Sequence, residues 1–443
     1  LALLLGLALA VFSDTAGETP VVQLSCGEHD GEPLVDDTPL LASLSLADLA
    51  GSASSAAGAA IPDPVVALPE LAITPEAMRS AAPLAPSMGS AFSGRDKGAR
   101  ESLLAAHGGT AATEAAVGLG LQWLQRNQQA GGTWSLQGPY SGGVAGFENR
   151  AAATAMALLA FQGNGHTHRK GDYREVVRRG MKALLAMQDA EGNFFRQGLT
   201  HHRLYSQALA TIAVCELYGM TQDAALREPA QRALDYAAQV QADDGAGGGG
   251  WRYHPRQDVD TSVTGWFVMA LESGRMAGLD VSLPALEKVS AFLDRVTPDG
   301  SRYSYRPGER VKPSMTAEAL LCRQYLGWKR DDPKLVAGVR YLLERPMNWR
   351  ELDVYAWYYA TQVIHHMGDP FWPQWNEVLR RVLPENQVQE GRERGSWDPQ
   401  GDPYGYQGGR LYCTCLCIWM LEVYYRHLPI YQVQLGAAGE ALP

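Results

Sequence analysis

The sequence predicts an all-α protein in which a ring of six inner helices is enclosed by six outer helices and preceded by a disordered linker. The first observation is a degenerate repeat of aromatic residues that each follow a helix end and lie 46–60 residues apart, at Trp134, Phe194, Trp251, Tyr303, Trp349 and Trp397. The second is that a more apolar helix lies in each interval and begins on polar residues. One helix pair per repeat, with the apolar partner buried, indicates two concentric layers.

The composition limits the class of protein. Of the 443 residues 46% are hydrophobic and 19% charged, which is typical of a globular chain. The net charge of -10 argues against a nucleic-acid partner, because no basic excess neutralises phosphates. Six cysteines in a chain of this length do not make a disulfide scaffold.

The chain begins with two segments outside the repeats. Residues 1–13, LALLLGLALAVFS, carry no charge and predict the remnant of a signal peptide or membrane anchor; a frayed native start is the alternative. Residues 14–98 are rich in Ala, Ser and Pro and predict a low-complexity linker. We therefore expect an extracytoplasmic body, secreted or anchored to a membrane through the N-terminus, that spans 99–430 and is followed by a tail at 431–443.

The outer helices are predicted from apolar residues at helical spacing that stop at turns, often glycine-containing, as in AAVGLGLQWLQRNQ, REVVRRGMKALLAMQ and AQRALDYAAQVQ. Weaker copies are ALEKVSAFLDRV, VAGVRYLLER and WNEVLRRVL. The inner helices include ENRAAATAMALLAF, DTSVTGWFVMALESG and DVYAWYYATQVIHHMG. The first and sixth repeats lack the polar outer face that terminal repeats of an open solenoid need, so a closed ring is favoured.

The repeats GLGLQWLQRNQQAGGTW and GMKALLAMQDAEGNF resemble those of squalene-hopene cyclases and protein prenyltransferase β subunits. The resemblance covers about residues 109–428. It implies an α/α toroid with its site in the central cavity and at the mouth where the inner helices begin. Related toroids also serve as thioester domains and as peptide or lipid binders, so the fold leaves the function open.

A closed ring places polar and aromatic residues of the inner helices at one mouth and in the cavity below it. The helix N-termini there favour an anionic group, although each polar residue is also a good helix cap. The residues expected to line the cavity or its rim are Arg150, His202, Tyr205, Trp266, Asp353, Trp357 and Tyr412.

The segment DVDTSVTGWFVMAL is similar to the DXDDTA element of class II terpene cyclases, in which a protonated carboxylic acid donates a proton to an alkene. The resemblance implies Asp258 and Asp260 as catalytic residues. Two neighbouring carboxylates do not both ionise easily, so one keeps its proton. Thr261 replaces the last Asp of the element, and a helix cap at Asp260 or Thr261 is the alternative.

Two further segments resemble the zinc site of prenyltransferases. YCTCLC is similar to YHTCYC, with Cys413 in place of a zinc-binding His, and DVYAW is similar to DGCYSF, with Asp353 matched and Tyr355 in place of a Cys. Zinc takes four ligands, or three and a water, so two matched residues give only a weak zinc site. Thiols that pack as small apolar groups are the alternative, and no other cofactor is expected.

Three functions follow. The first is a toroid that binds an isoprenoid or other apolar lipid in its cavity. The second is an enzyme, either a terpene cyclase that uses Asp258 or Asp260, or a zinc prenyltransferase that uses Asp353 and Cys413. The third is a non-catalytic scaffold or peptide-binding toroid. An aromatic-lined hollow of several hundred Å3 would favour the first two, and a packed centre the third.

Overall fold

The computed structural model describes residues 90–243 and 248–431, in which the chain forms fourteen α-helices and no strand beyond two isolated bridges. Helix α1 (Lys97–Ala106) precedes the repeats and α14 (Val423–Arg426) follows them. The outer helices are α2 (Ala111–Arg126), α4 (Arg174–Leu185), α6 (Ala224–Gln239), α8 (Leu283–Arg295), α10 (Pro333–Leu343) and α12 (Trp372–Glu385). The inner helices are α3 (Arg150–Gly163), α5 (Arg203–Thr221), α7 (Thr261–Met276), α9 (Pro313–Tyr325), α11 (Val354–Met367) and α13 (Gly405–Leu421).

Burial separates the two sets of helices as the sequence predicts. Every residue of α11 is buried, and α7 is buried from Thr261 through Gly274. The outer helix α4 buries only one face, formed by Val176, Val177, Gly180, Met181 and Leu184. A helix that is apolar on all sides belongs inside a structure, and one with a single apolar face belongs at its surface.

The ring is closed. Each inner helix contacts the next, and α13 contacts α3. The prediction of an all-α, α/α toroid of six inner and six outer helices is confirmed.

Three of the repeated aromatic residues, Trp134, Trp251 and Trp397, fasten an outer helix to the inner helix that follows. The indole Nε1 of Trp134 donates a hydrogen bond to the Leu124 carbonyl at 2.7 Å, near the end of α2. Its backbone N–H donates to Thr154 Oγ1 of α3 at 3.2 Å. Trp251 and Trp397 make the equivalent pairs of bonds. At these three positions the repeat in the sequence is a repeat of buried hydrogen-bonded anchors, whereas Trp349 is only half-buried.

The ordered body begins earlier than the sequence predicts. Residues 90–95 form a 3-10 helix and α1 begins at Lys97, although the linker was expected to reach residue 98. Phe92 and Arg95 in this segment are buried against the C-terminal ends of inner helices. The predicted anchor remnant at 1–13, the linker up to residue 89 and the tail after Tyr431 lie outside the described residues. Within residues 90–243 and 248–431, no helix has the length and apolar character to cross a membrane.

Candidate functional site

A cavity of about 380 Å3 opens at the end of the ring where the inner helices begin. Four apolar side chains, each about two turns into its inner helix, form the lower walls: Met156, Leu209, Trp266 and, counted from the kink at Gly409 of α13, Leu416. Nearer the rim, Leu136, Ala152 and Met315 add apolar surface among polar and aromatic side chains: Asn149, His201, His202, Tyr205, Tyr253, Ser262, Tyr305, Lys312, Tyr355, Tyr404, Gln407 and Tyr412. The cavity therefore has an apolar lower zone and a polar, tyrosine-rich upper zone.

An aromatic cluster closes the cavity from below. Trp266 stacks on Tyr358 with ring centroids 5.8 Å apart and contacts Tyr359 and Trp419 edge-on. Beneath this cluster the next void measures about 10 Å3. The cavity is thus a bowl at one end of the ring.

The structure brings four of the seven predicted cavity residues together. His202, Tyr205, Trp266 and Tyr412 line the cavity. Burial, with the nearby His201 charge, lowers the pKa of His202 to about 4, so its imidazole is neutral near pH 7.

Arg150, Asp353 and Trp357 were expected at the cavity and do not line it. Arg150 bonds to Gln129 of the preceding loop, and Trp357 packs against Trp349 with ring centroids 6.0 Å apart. Successive residues of a helix point in directions about 100° apart, so membership of an inner helix did not fix which side chains face the axis.

Asp258 is an ionised surface carboxylate. Its side chain is 40% exposed and lies 2.6 Å from Arg252 and 3.1 Å from Arg306. Partial burial opposes ionisation, but hydrogen bonds from the Val259 N–H and Arg252, and the charges of both arginines, lower the pKa of Asp258. Of the two carboxyl groups, Asp258 is therefore the one that ionises more readily.

Asp260 is fully buried and caps α7. Its Oδ1 accepts a hydrogen bond from the Val263 N–H at 2.7 Å, and its Oδ2 accepts one from the Tyr305 hydroxyl at 2.7 Å. Burial raises the pKa of Asp260 to about 6, against those two bonds and the Arg252 charge 3.3 Å away. Tyr305 lines the cavity and Asp260 does not, so the Tyr305 hydroxyl separates the Asp260 carboxyl from the cavity.

The sequence analysis missed a second buried acid, Glu318 of α9. It is fully buried, and both carboxyl oxygens lie 3.1–3.2 Å from the Tyr355 hydroxyl. Burial raises the pKa of Glu318 well above its ordinary value, although the hydroxyls of Tyr359 and Tyr355 act in the opposite direction. Gly265 of α7 makes room for it, because a Cβ there would lie 2.2 Å from Glu318 Oε1. The signal in the sequence was a glutamate near the middle of an inner helix, between Ala317 and Ala319.

The donor set does not fit the zinc ion that the resemblance implies. Asp353 caps α11 by accepting from the Ala356 N–H at 2.9 Å, and the Cys413 thiol lies 3.8 Å from the Asp398 carbonyl oxygen. Across residues 90–243 and 248–431, no three His, Cys, Asp or Glu side chains are grouped as metal ligands. Cys413, Cys415 and Cys417 are buried free thiols of α13.

No family model matches the chain, and no curated protein matches it in sequence. Among solved structures, the type II terpene cyclase MstE from Scytonema, as a variant in complex with geranylgeranyl dihydroxybenzoate, is 13% identical, with a TM-score of 0.48 over 72% of this chain and 98% of that one. An α-1,6-mannanase from a Salegentibacter species is 14% identical, with a TM-score of 0.49 over 69% of this chain and 98% of that one. At these identities the similarity concerns the fold.

Proposed function

We propose that the protein binds an amphipathic isoprenoid-type molecule in the mouth cavity, with its apolar part against the lower walls and its polar end at the rim. The observation that carries this proposal is the division of the lining into two zones. Apolar side chains from four inner helices, α3, α5, α7 and α13, form the lower zone, and hydroxyl, imidazole, amide and ammonium groups lie in the upper one.

The dimensions and chemistry of the bowl support such a ligand. Small-molecule sites are concave, mostly apolar and roughly 300–1,000 Å3 in volume, with a few polar groups that fix orientation. Each CH2 group that enters the lower zone contributes roughly 0.8 kcal/mol. The flat faces of Trp266 and the surrounding tyrosines suit a branched, unsaturated chain.

Binding is favoured over cyclisation because of where the acids lie. Asp258 is ionised and held by two arginines, and Asp260 lies behind Tyr305. A proton donor for an alkene has to touch it. The resemblance of the repeats to those of cyclases and prenyltransferases supports the isoprenoid class of ligand, and the proposal retains an extracytoplasmic location with attachment through the N-terminal segment.

The test is direct binding of farnesol, an isoprenoid alcohol, to the full chain by isothermal titration calorimetry. Ala152→Phe places a ring in the cavity above the lower zone, and we expect farnesol affinity to fall at least tenfold because the ring occupies volume that the hydrocarbon chain of farnesol needs. The matched control is Ala111→Phe at an exposed position of α2, which we expect to bind as the parent does.

A second variant covers the case in which Ala152→Phe does not fold. Met156→Ala enlarges the lower zone, and we expect it to improve the affinity of the longer geranylgeraniol relative to farnesol. Equal farnesol affinity in the parent and a folded Ala152→Phe variant would exclude the cavity as the site.

A further inference from the structure

A chain of hydroxyl groups connects the buried Glu318 to the cavity. The Tyr355 hydroxyl lies 3.1–3.2 Å from the Glu318 carboxyl and 2.6 Å from Ser262 Oγ. The Tyr205 hydroxyl donates to the same Ser262 Oγ at 2.9 Å. Tyr205, Ser262 and Tyr355 all line the cavity, whereas Glu318 lies behind them. The chain therefore begins at a buried carboxyl and ends at the cavity surface.

Glu318 has no counter-ion. Among residues 90–243 and 248–431, no Lys, Arg or His nitrogen lies within 4.0 Å of its carboxyl oxygens. An isolated carboxylate in an apolar interior is so costly that the group keeps its proton. The raised pKa of Glu318 has this cause. The other titratable groups that act on it or are acted on by it are Tyr205 of α5, Asp260 at the start of α7, Cys322 of α9, Tyr355, Tyr358 and Tyr359 of α11, and Tyr404.

The protonation state of Glu318 sets the direction in which hydrogen bonds are donated along this series of hydroxyl groups. If Glu318 were ionised, Tyr355 would donate to it, Ser262 to Tyr355 and Tyr205 to Ser262, and the three hydroxyl protons would all be used within the chain. With Glu318 protonated, the carboxyl O–H donates to Tyr355 and Tyr355 donates to Ser262. Ser262 then accepts two hydrogen bonds, and its own proton has no acceptor within the chain.

The neighbouring Tyr359 does not replace Tyr355 as the hydrogen-bond partner of Glu318. Its hydroxyl is buried beside Glu318 but has no partner in hydrogen-bonding geometry among the described residues. Tyr355 is the hydroxyl that is in contact with both the carboxyl and Ser262. The one hydroxyl proton that has no acceptor within this series of groups is therefore the proton of Ser262, which is free to donate into the cavity.

We infer that the Ser262 hydroxyl donates a hydrogen bond to an uncharged acceptor oxygen of the ligand, a hydroxyl, ether or carbonyl oxygen, held at the α5–α7–α11 side of the mouth. This inference rests on the proposed function and specifies the polar end of the ligand. Ser262 binds that oxygen, and Tyr355 and Glu318 are positioning residues, since Glu318 acts through Tyr355 on the direction in which the Ser262 hydroxyl donates. A buried donor left without its acceptor is costly, so the site discriminates against ligands that lack the oxygen.

The test is a double-mutant cycle on two probes that share a hydrocarbon chain. Farnesyl methyl ether keeps an acceptor oxygen and has no donor, whereas farnesene has neither. We expect Ser262→Ala to weaken binding of the ether about 3- to 10-fold, the worth of one net hydrogen bond, and to leave farnesene binding unchanged. The matched control is Ser314→Ala, because Ser314 is likewise the second residue of an inner helix and does not line the cavity.

Two variants of the acid separate a directing role from a packing role. Glu318→Gln keeps a donor, since its amide N–H can donate to Tyr355, and we expect it to retain the preference for the ether. Glu318→Met keeps the length without a donor, and we expect it to lose the preference by the same factor as Ser262→Ala. A carbonyl band of a protonated carboxylic acid in the infrared spectrum should vanish in Glu318→Gln, which checks the proton without a ligand.

The outcomes are distinguishable. If neither probe binds the parent protein, the proposed function fails and this inference fails with it. If both probes bind and Ser262→Ala weakens both equally, only the inference is overturned. The absence of an infrared band assignable to Glu318 would also overturn it, because an ionised Glu318 leaves no proton for the cavity.

Discussion

The two ends of the ring are built from opposite ends of the same six helices and differ in almost every other respect. At the mouth, the N-termini surround a cavity of about 380 Å3. At the opposite end, residues 90–106 and the segment after α13 cover the C-termini, and the void that is left there measures about 10 Å3. One end holds the cavity, and the other ties the two ends of the described chain to the ring.

Two glutamates make the difference explicit. Glu216 and Glu318 both lie on inner helices and are 2% and 0% exposed. At the closed end, Glu216 lies 2.7 Å from Arg95 and 3.3 Å from Arg426, and these charges outweigh burial and lower its pKa. At the mouth, the hydrogen-bond partner of Glu318 is the Tyr355 hydroxyl, and burial raises the pKa of Glu318. At similar burial, two neighbouring cations favour the ionised form of Glu216, whereas the surroundings of Glu318 favour its neutral form. One cation does not suffice, since burial raises the pKa of Glu422 to about 8 beside Arg426.

The comparison is tested most strongly by removing a cation from the closed end. Arg426 lies 3.3 Å from Glu216 and 3.1 Å from Glu422 and donates to the Leu159 carbonyl of α3 at 2.6 Å. We expect Arg426→Met to lower the free energy of unfolding by about 3–5 kcal/mol, because it removes the ion-pair partner of the buried Glu422 and leaves the buried Glu216 with Arg95 alone. Urea denaturation measures this change.

The matched variant at the mouth is Glu318→Met. It removes a neutral group, so we expect a loss of about 1 kcal/mol, the net worth of a typical hydrogen bond. Equal losses at the two sites would contradict the assignment of an ionised cluster at one end and a neutral acid at the other.

Buried histidines at the closed end give the next largest effect. Neither ring nitrogen of His365 or His366 has a hydrogen-bond partner among the described residues, and burial lowers the pKa of His366 to about 3. The unfolded chain binds a proton at this group below about pH 6.5, and the folded chain does so only near pH 3. Stability therefore falls as the pH falls through this window, by about 1.4 kcal/mol per pH unit for one such group.

We expect His366→Phe to reduce that slope by about 1.4 kcal/mol per pH unit between pH 6 and pH 4. The measurement is urea denaturation at each pH. The same substitution at the exposed His254 serves as the control and should leave the slope as it is in the parent. An unchanged slope in His366→Phe would show that the imidazole is protonated in the folded state.

The fold could be predicted from the sequence because its signals are local and repeated. Apolar periodicity and the anchors at Trp134, Trp251 and Trp397 lie within single helix pairs. The segment 90–98 was missed because its ordering depends on distant partners, as when Arg95 pairs with Glu216.

The site was predicted only in part, for the same reason. A chain position at the start of an inner helix placed Tyr205 and Tyr412 correctly at the mouth, but it did not show that Trp357 turns outward. Glu318 depends on Gly265 of one neighbouring helix and Tyr355 of another, which come together only when the ring forms. The apolar periodicity of one helix does not show which of its side chains contact side chains of other helices in the ring.

The smallest expected effect on binding concerns Asp260, and its variants separate a role as a helix cap from a role as an acid. We expect Asp260→Ala to cost about 1–2 kcal/mol of stability, because the Val263 N–H loses its acceptor, and Asp260→Asn to cost a few tenths of that, since the amide oxygen still caps α7. Both variants should bind farnesyl methyl ether within about twofold of the parent, because Tyr305 separates residue 260 from the cavity. If the parent instead converts a linear isoprenoid to a cyclic product and Asp260→Asn, with its cap intact, does not, then the proton at Asp260 does the chemistry and Tyr305 is its path to the cavity.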